Sequence, residues 1–474
     1  MSKTYDALPV FAQNLACTLA GYWRARDRHS LPFFDGLARL NETAFAPLDE
    51  LHRLQWKRLE ILVRRAREHV PYFRDISPPS RAPDALQAIR ETLSGIPILN
   101  KTAYRDHVPE LVARDVPARR IYRGRTSGTT GTALPLFYSA ATLTEEYATV
   151  WRLRGARGVR PRDRHLTFGG QVIVPVSSTT PPFWRSNAYG RQTLFSIYHM
   201  TPRNFDAYIE AIHSSEARYV DGYPSALFLV ARAMLEAGRP LEKGRLKAVF
   251  ASSESLLAYQ RETIESAFGT SVWDRYGSSE FAVSMTACSE QNLHVDMEFC
   301  IVEVEPQEET DEYVTGSLIV TGLANDVTPF LRYRIGDTGT RLKNSCPCGR
   351  PGDVFLDVDG RNEDFVMTPD GRLVGRLDHI FKAQLNVVEA QILQETQDSI
   401  EVLFVPDHDF DSKREKDLLH EIRTRLGQEI RVRLTPVEWI PREPNGKFRA
   451  VKSKIGVEVV GDGALHAESS ETIL

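Results

Sequence analysis

The sequence predicts an α/β protein, a large multi-layer α/β N-terminal body followed by a small α+β C-terminal domain. Three observations carry that expectation. From the stretch around Tyr122 to about Arg350, short apolar strands alternate with amphipathic helices, the pattern of a sheet covered by helices. Within it, Leu246 to Ala251 reads as a buried strand running into the polar turn Ser252-Ser253-Glu254, and Ser271 to Asp274 delivers Tyr276-Gly277-Ser278-Ser279-Glu280 in the same way. In open α/β sheets ligands sit at the carboxyl ends of strands, so both turns are candidate binding edges. Around Asp359-Gly360-Arg361-Asn362-Glu363-Asp364 the character changes. Beyond it, strand candidates at Ile400 to Val405 and Ile430 to Leu434 flank a helix with Leu418, Leu419, Ile422 and Leu426 on one side.

The expected division is a helical extension over 1–50, a large domain over 51–360, a small domain over 361–457 and a disordered tail over 458–474, where small and charged residues dominate. In the first part, Phe11, Leu15, Leu19 and Tyr22 fall at helical spacing and predict a helix docked on the body. Gln13 and Asn14 interrupt the apolar run and only Lys3 precedes it, which argues against a signal peptide. A second helix, Leu51 to Val70, has Leu59, Leu62, Val63, Ala66 and Val70 on one face and Lys57, Arg58, Arg64 and Arg65 on the other, and Pro71 ends it. Thr201-Pro202 starts a further helix. Leu227, Val230, Ala231, Met234 and Leu235 form the buried face of the next, closed by Gly238.

Composition narrows the function classes. With 59 basic and 63 acidic residues the net charge is −4, and hydrophobic content is 42 % of 474 residues. That balance gives no bulk attraction to nucleic acid or membrane. No apolar run is long enough to span a bilayer. Five cysteines in so long a chain do not make a disulfide framework and point to a reducing cytoplasm.

Two motifs carry chemistry on their residue types alone. In YRGRTSGTTGTALP, Thr126-Ser127-Gly128-Thr129-Thr130-Gly131 alternates hydroxyls with glycines, so backbone N–H groups approach an anion while hydroxyls donate to the same oxygens. A P-loop would place a lysine after the second glycine, and Thr132-Ala133-Leu134 follows instead, so this is a different phosphate holder or else a flexible linker. Cys288-x₅-His294 and Cys346-Pro-Cys348-Gly349 supply three thiols and an imidazole, the set a tetrahedral structural zinc needs; the alternative is buried reduced cysteines with an ordinary histidine. Cys17 and Cys300 have no partner pattern and read as core.

TSGTTGT, the SSE turn, YGSSE, RYRIGD, GR–NED and the C-terminal GKFR, in that order, resemble the adenylate-forming superfamily of acyl-CoA synthetases. HVPYFR, DGYPSAL, YGSSEF, LRYRIGD and CPCGR are most similar to the phenylacetate-CoA ligase family and its capsular-polysaccharide-associated branch, over about Leu51 to Ile455. The resemblance implies the adenylate-forming enzyme fold with a mobile small domain. It also implies that a carboxylic acid and MgATP form an acyl-adenylate and pyrophosphate, followed by transfer to a thiol, coenzyme A in the first instance.

On this resemblance Thr126 to Gly131 embrace the β- and γ-phosphates and Glu280 ligates Mg²⁺. Tyr276 and Gly277 face adenine, with Ser278 and Ser279 beside them. Ser253 and Glu254 line the adenine and substrate side, and Asp337 accepts from both ribose hydroxyls. Arg332 and Arg334 before it favour a functional reading of that aspartate. Arg361 reaches the nucleotide from the hinge, where relatives often carry Asp or Lys and this chain has Glu363. Lys447 acts on the carboxylate and α-phosphate; without the other motifs it would read as an exposed turn lysine. The acid pocket is expected at Tyr223, Gly169 and Gly170. Relatives with a similar zinc support the Cys288, His294, Cys346, Cys348 set. Other acceptors in such families are a carrier protein or an amine, and AMP transfer also occurs; a homodimer is the candidate assembly. A catalytically silent scaffold in surface-polysaccharide assembly is the contrasting reading, disfavoured by Lys447, Glu280 and Asp337 together.

Overall fold

The computed structural model describes residues 3–468 apart from 30, 127–133, 176, 360–365, 371–372, 375–376, 378–386, 444–447 and 459–465. The chain forms two compact units, Met1–Val358 and Asp359–Leu474.

In the first unit a hairpin of β1 (Tyr122–Arg125) and β2 (Pro135–Tyr138) precedes a twelve-stranded sheet. Its strands are β3 (His165–Gly169), β4 (Trp184–Asn187), β5 (Gln192–Ser196), β6 (Tyr219–Gly222), β7 (Ala248–Ser252), β8 (Val272–Gly277), β9 (Ser284–Ala287), β10 (Leu293–Val295), β11 (Cys300–Glu309), β12 (Tyr313–Gly322), β13 (Tyr333–Leu342) and β14 (Val354–Asp359). Their spatial order is β11-β12-β13-β14-β10-β9-β8-β7-β6-β3-β5-β4. β5, β3, β6, β7 and β8 run parallel. The helices Phe205–Ser214, Pro224–Glu236 and Ala258–Phe268 connect successive members of that set. Ala248-Val249-Phe250-Ala251 is apolar without alternation because a parallel strand covered on both faces has no solvent side. The carboxyl ends of β3, β6, β7 and β8 therefore open on one edge.

Sequence and structure differ in several places. β8 continues through Tyr276 and Gly277, beyond the strand expected to stop at Asp274, because β7 and β9 pair it on both sides. The segment at Thr201-Pro202 is a 3₁₀ turn, Pro202–Asn204, and the α-helix starts at Phe205. Arg332 and Arg334 make structural pairs: Arg332 grips Glu303 with two bonds of 3.0 Å and Arg334 holds Glu305 at 2.8 Å, both across to β11. They lend no support to a functional reading of Asp337. Cys300 is fully buried, whereas Cys17 is only half-buried, against Ile173 and Leu194.

The helix Leu48–His69 sinks Leu59, Leu62, Val63 and Ala66 into the main core, as its pattern predicts. The helix Val10–Arg28 does the reverse. Phe11, Leu15, Leu19 and Tyr22 are 75, 58, 53 and 43 % exposed, while Gln13 is 2 % exposed. Its polar face lies along β4, the sheet's outer strand, where N–H groups lack a neighbouring strand. Asn14 Oδ1 accepts from Ser186 N at 2.9 Å, and Thr18 Oγ1 accepts from Ala188 N at 3.0 Å. Gln13 Oε1 accepts from Arg185 Nε at 2.5 Å. Satisfying those polar groups outweighs covering the apolar stripe.

The second unit contains a four-stranded sheet ordered Arg431–Pro436, Ser399–Pro406, Val387–Thr396, Val451–Ser453. The helix Ser412–Leu426 packs Leu418, Ile422 and Leu426 into its core. Asp411 caps that helix, accepting from Lys413 N and Arg414 N at 3.0 and 2.8 Å. His466–Glu468, inside the stretch expected to lack order, pairs with Gly456–Glu458.

Candidate active site

β1 and β2 form the stem of the glycine-threonine loop. Thr126 N donates to Leu134 O at 3.0 Å and Leu134 N donates to Thr126 Oγ1 at 2.9 Å, so Thr126 closes the stem on itself. Ser127, Gly128, Thr129, Thr130 and Gly131 lie outside the described residues, as do Arg361, Glu363 and Lys447. Beside the stem is a cavity of about 350 Å³ lined by Gly124, Arg125, Ser253, Gly277, Ser278 and Ser279. Three stretches far apart in sequence thus meet at one opening, which has the size of a small-molecule site.

One left-handed backbone position and one close approach shape this opening. Ser253 adopts φ +76° directly after β7, turning the chain sharply enough to present Glu254. Glu254 Oε2 accepts from Ser225 N at 3.0 Å, at the start of the helix Pro224–Glu236. Gly277 ends β8 above the Arg275 side chain, and an added Cβ would sit 2.8 Å from Arg275 Nη1. A larger residue there would push the Arg275 guanidinium away from Glu146.

Tyr276 and Asp337, both expected at the nucleotide, meet directly: Tyr276 Oη donates to Asp337 Oδ2 at 2.5 Å. Asp337 lies within β13 just after Gly336, whose φ is +88°. Glu280 is buried beside Tyr104; burial first, and then the Glu280 charge, pushes the Tyr104 phenol upward. On the acid side, Tyr223 N donates to Phe168 O at 2.9 Å and Tyr198 Oη donates to Gly170 O at 2.8 Å, which brings Gly169, Gly170 and Tyr223 together with Glu254. Burial raises the Tyr223 phenol, a hydrogen bond with the Gly170 backbone opposes this, and the Glu254 charge adds to the rise. Tyr223 therefore stays neutral near neutral pH.

Sequence reasoning missed Glu146 and Arg275, which also line the cavity and pair at 2.7 Å. Arg275 is adjacent to Tyr276 in sequence and could have been suspected; Glu146, in the helix Ala140–Gly155, carries no motif. Behind them is a buried hub. Arg275 donates to Ser284 Oγ at 3.1 Å, and Ser284 Oγ donates to Asp296 Oδ2 at 2.6 Å. Asp296 also accepts from Arg152 at 2.6 Å, Arg350 at 2.7 Å and Thr286 at 3.0 Å. Burial alone would raise the Asp296 carboxyl, but the Arg152 and Arg350 charges reverse that and hold it at about 2.

Arg350 connects the hub to the cysteine cluster, its backbone N donating to Cys348 Sγ at 3.4 Å. The ligand atoms of Cys288, His294, Cys346 and Cys348 all lie within 4.8 Å of one another. Tetrahedral zinc with ordinary bond lengths sets S···S at about 3.8 Å and S···N at about 3.6 Å. The observed Cys288–Cys346 and Cys348–His294 separations are 3.7 and 3.3 Å. Burial first, and then Arg350, lowers His294 to about 4, which keeps its imidazole in the neutral form a metal requires. The donor set fits a closed tetrahedral site.

Residues 366–454 match the CapK C-terminal domain family. The chain is 26 % identical over 455 residues to protein CapK of Staphylococcus aureus, covering 95 % of this chain and 98 % of that one. It is 24 % identical over 432 residues to phenylacetate-coenzyme A ligase of Aromatoleum evansii, covering 86 % and 95 %. The solved structure of 2-hydroxyisobutyryl-CoA ligase in the postadenylation state superposes with a TM-score of 0.64 at 19 % identity, covering 87 % and 91 %. The chain is thus a homologue of CapK and of phenylacetate-CoA ligases, and its fold is that of the adenylate-forming ligases.

Proposed function

We propose that this protein is an ATP-dependent adenylate-forming acid–thiol ligase. It joins a small carboxylic acid to AMP with release of pyrophosphate and then passes the acyl group to coenzyme A. The observation that carries this is the single cavity at which the loop stem, the Ser253 turn and Gly277-Ser278-Ser279 converge. Adenylation needs no covalent nucleophile, only phosphates held and a carboxylate placed in line, and backbone N–H groups and hydroxyls around one opening supply that.

In this reading the loop from Thr126 receives the β- and γ-phosphates. The Tyr276 ring faces adenine while its hydroxyl orients Asp337 toward the ribose diol. Tyr223, Gly169 and Gly170 border the acid. Glu280 would hold Mg²⁺, which when bound offsets the negative charge of the phosphates. Lys447 would stabilise the developing charge at the carboxylate and α-phosphate, and Arg361, in the hinge region, would reach the nucleotide. Cys288, His294, Cys346 and Cys348 would hold a structural zinc; with four protein donors it has no open position and braces the fold.

The test is pyrophosphate exchange into ATP across a panel of carboxylic acids. Acid-dependent exchange that disappears in Lys447→Ala is expected, and thioester should form once coenzyme A is added. No exchange with any acid would favour the scaffold reading, while exchange without thioester would move the acceptor to a carrier protein or an amine. Metal analysis should find about one zinc per chain, lost in Cys348→Ser; zinc-free protein with unchanged folding would remove that assignment.

A further inference from the structure

The apolar stripe left in solvent by the helix Val10–Arg28 is self-complementary, and we propose that it is the interface of a two-fold symmetric homodimer in which two such helices pair antiparallel. The polar side of the helix is already used on β4, so the stripe cannot turn inward without breaking the bonds that Gln13, Asn14 and Thr18 make there. What remains outside is continuous. Phe11, Leu15, Leu19 and Tyr22 follow one another at spacings of four, four and three, Trp23 packs edge-on against Tyr22 at 5.4 Å, and Tyr189 packs edge-on at 5.2 Å.

The area suits a second copy. At their observed exposures, Phe11, Tyr22, Trp23 and Tyr189 leave roughly 300–550 Å² of apolar surface in water. Leu15, Leu19 and Leu8 extend it toward the roughly 800 Å² per partner of a standard interface. Pairing about a two-fold axis midway along the helix sets Leu15 against the partner helix's equivalent of Leu19, and Phe11 against that of Trp23. The end charges are complementary as well. The exposed carboxylate of Asp6 lies at one end and the exposed guanidinium of Arg26, stacked on Trp23 at 5.0 Å, at the other, so antiparallel pairing brings opposite signs together twice while parallel pairing would not.

Sedimentation of the full chain at micromolar concentration tests this. Wild type should sediment as a dimer. Leu15→Glu should weaken dimerisation by about a hundredfold or more with an unchanged circular dichroism spectrum, because the side chain touches solvent in the monomer. As a control that does not depend on inserting a buried charge, Asp6→Arg and Arg26→Asp should each weaken the dimer several-fold and the double variant should restore it. A wild-type monomer, or a dimer untouched by Leu15→Glu, overturns the proposal; failure of the double variant to recover overturns the antiparallel arrangement. Co-sedimentation of monomeric wild type with phosphatidylglycerol vesicles, abolished by Leu15→Glu, would assign the stripe to a lipid surface instead and would also overturn it.

Discussion

Two helices of the first unit carry equally clear apolar stripes and use them oppositely. Leu48–His69 faces the main cluster, and Leu59 and Val63 are fully buried there. Val10–Arg28 faces a sheet edge, where it buries Gln13 and offers the side-chain oxygens of Asn14 and Thr18 to backbone N–H groups. A periodic pattern shows that a helix has two faces; the neighbour decides which one is covered. Where the neighbour is a layer of aliphatic side chains, burial of carbon wins. Where it is a strand edge with N–H groups to pair and a buried guanidinium to satisfy, the hydrogen bonds of Gln13, Asn14 and Thr18 win.

The largest effect should come from the core helix. Leu59→Ala is expected to cost about 2–5 kcal/mol in urea unfolding, since the fully buried side chain leaves a cavity. Burial also has a cost that the edge helix avoids. Asp274, in β8, is pushed up to about 6 by desolvation, against which the Arg261 charge and a hydrogen bond from the Arg275 backbone act only in part. A carboxyl with a raised folded-state pKa favours folding while protonated, so stability should fall as pH rises from about 4 through 6 and level off above. The swing is about 2–3 kcal/mol, and Asp274→Asn should flatten it; an unchanged pH profile in that variant would refute the assignment.

Smaller still is the edge contact. Asn14→Ala should cost about 1 kcal/mol because Ser186 N loses its acceptor. Leu15→Gln should shift unfolding of dilute, monomeric protein by less than about 0.5 kcal/mol. If Leu15→Gln proves the more damaging of the two in the monomer, the inverted orientation of this helix is wrong.

Much of the candidate site could be read in the sequence because its parts are local. A glycine-hydroxyl loop, a polar turn after an apolar strand and a Cys-x-Cys knuckle each state their chemistry within a few residues. Glu146 and Asp296 could not be read this way. Glu146 is one acidic residue in an ordinary helix and Asp296 one just after a short strand, and each matters only through arginines brought alongside from 129 positions away for Glu146 and from 144 and 54 for Asp296. Arg332 and Arg334 show the opposite error: two charges beside a motif that pair with Glu303 and Glu305 on β11, beyond the intervening β12.

By itself the amino-acid order determined the α/β class, the strand that feeds Ser253, the four metal-type donors and the helical spacing of Phe11, Leu15, Leu19 and Tyr22. Those depend on chain geometry over a few residues, which composition and periodicity record. Only the tertiary structure decided that Tyr276 bonds Asp337, that Arg275 rests on Glu146 beneath Gly277, and that Val10–Arg28 turns its apolar side to water. Each of these is a choice of partner between elements far apart in the chain, which no local pattern records.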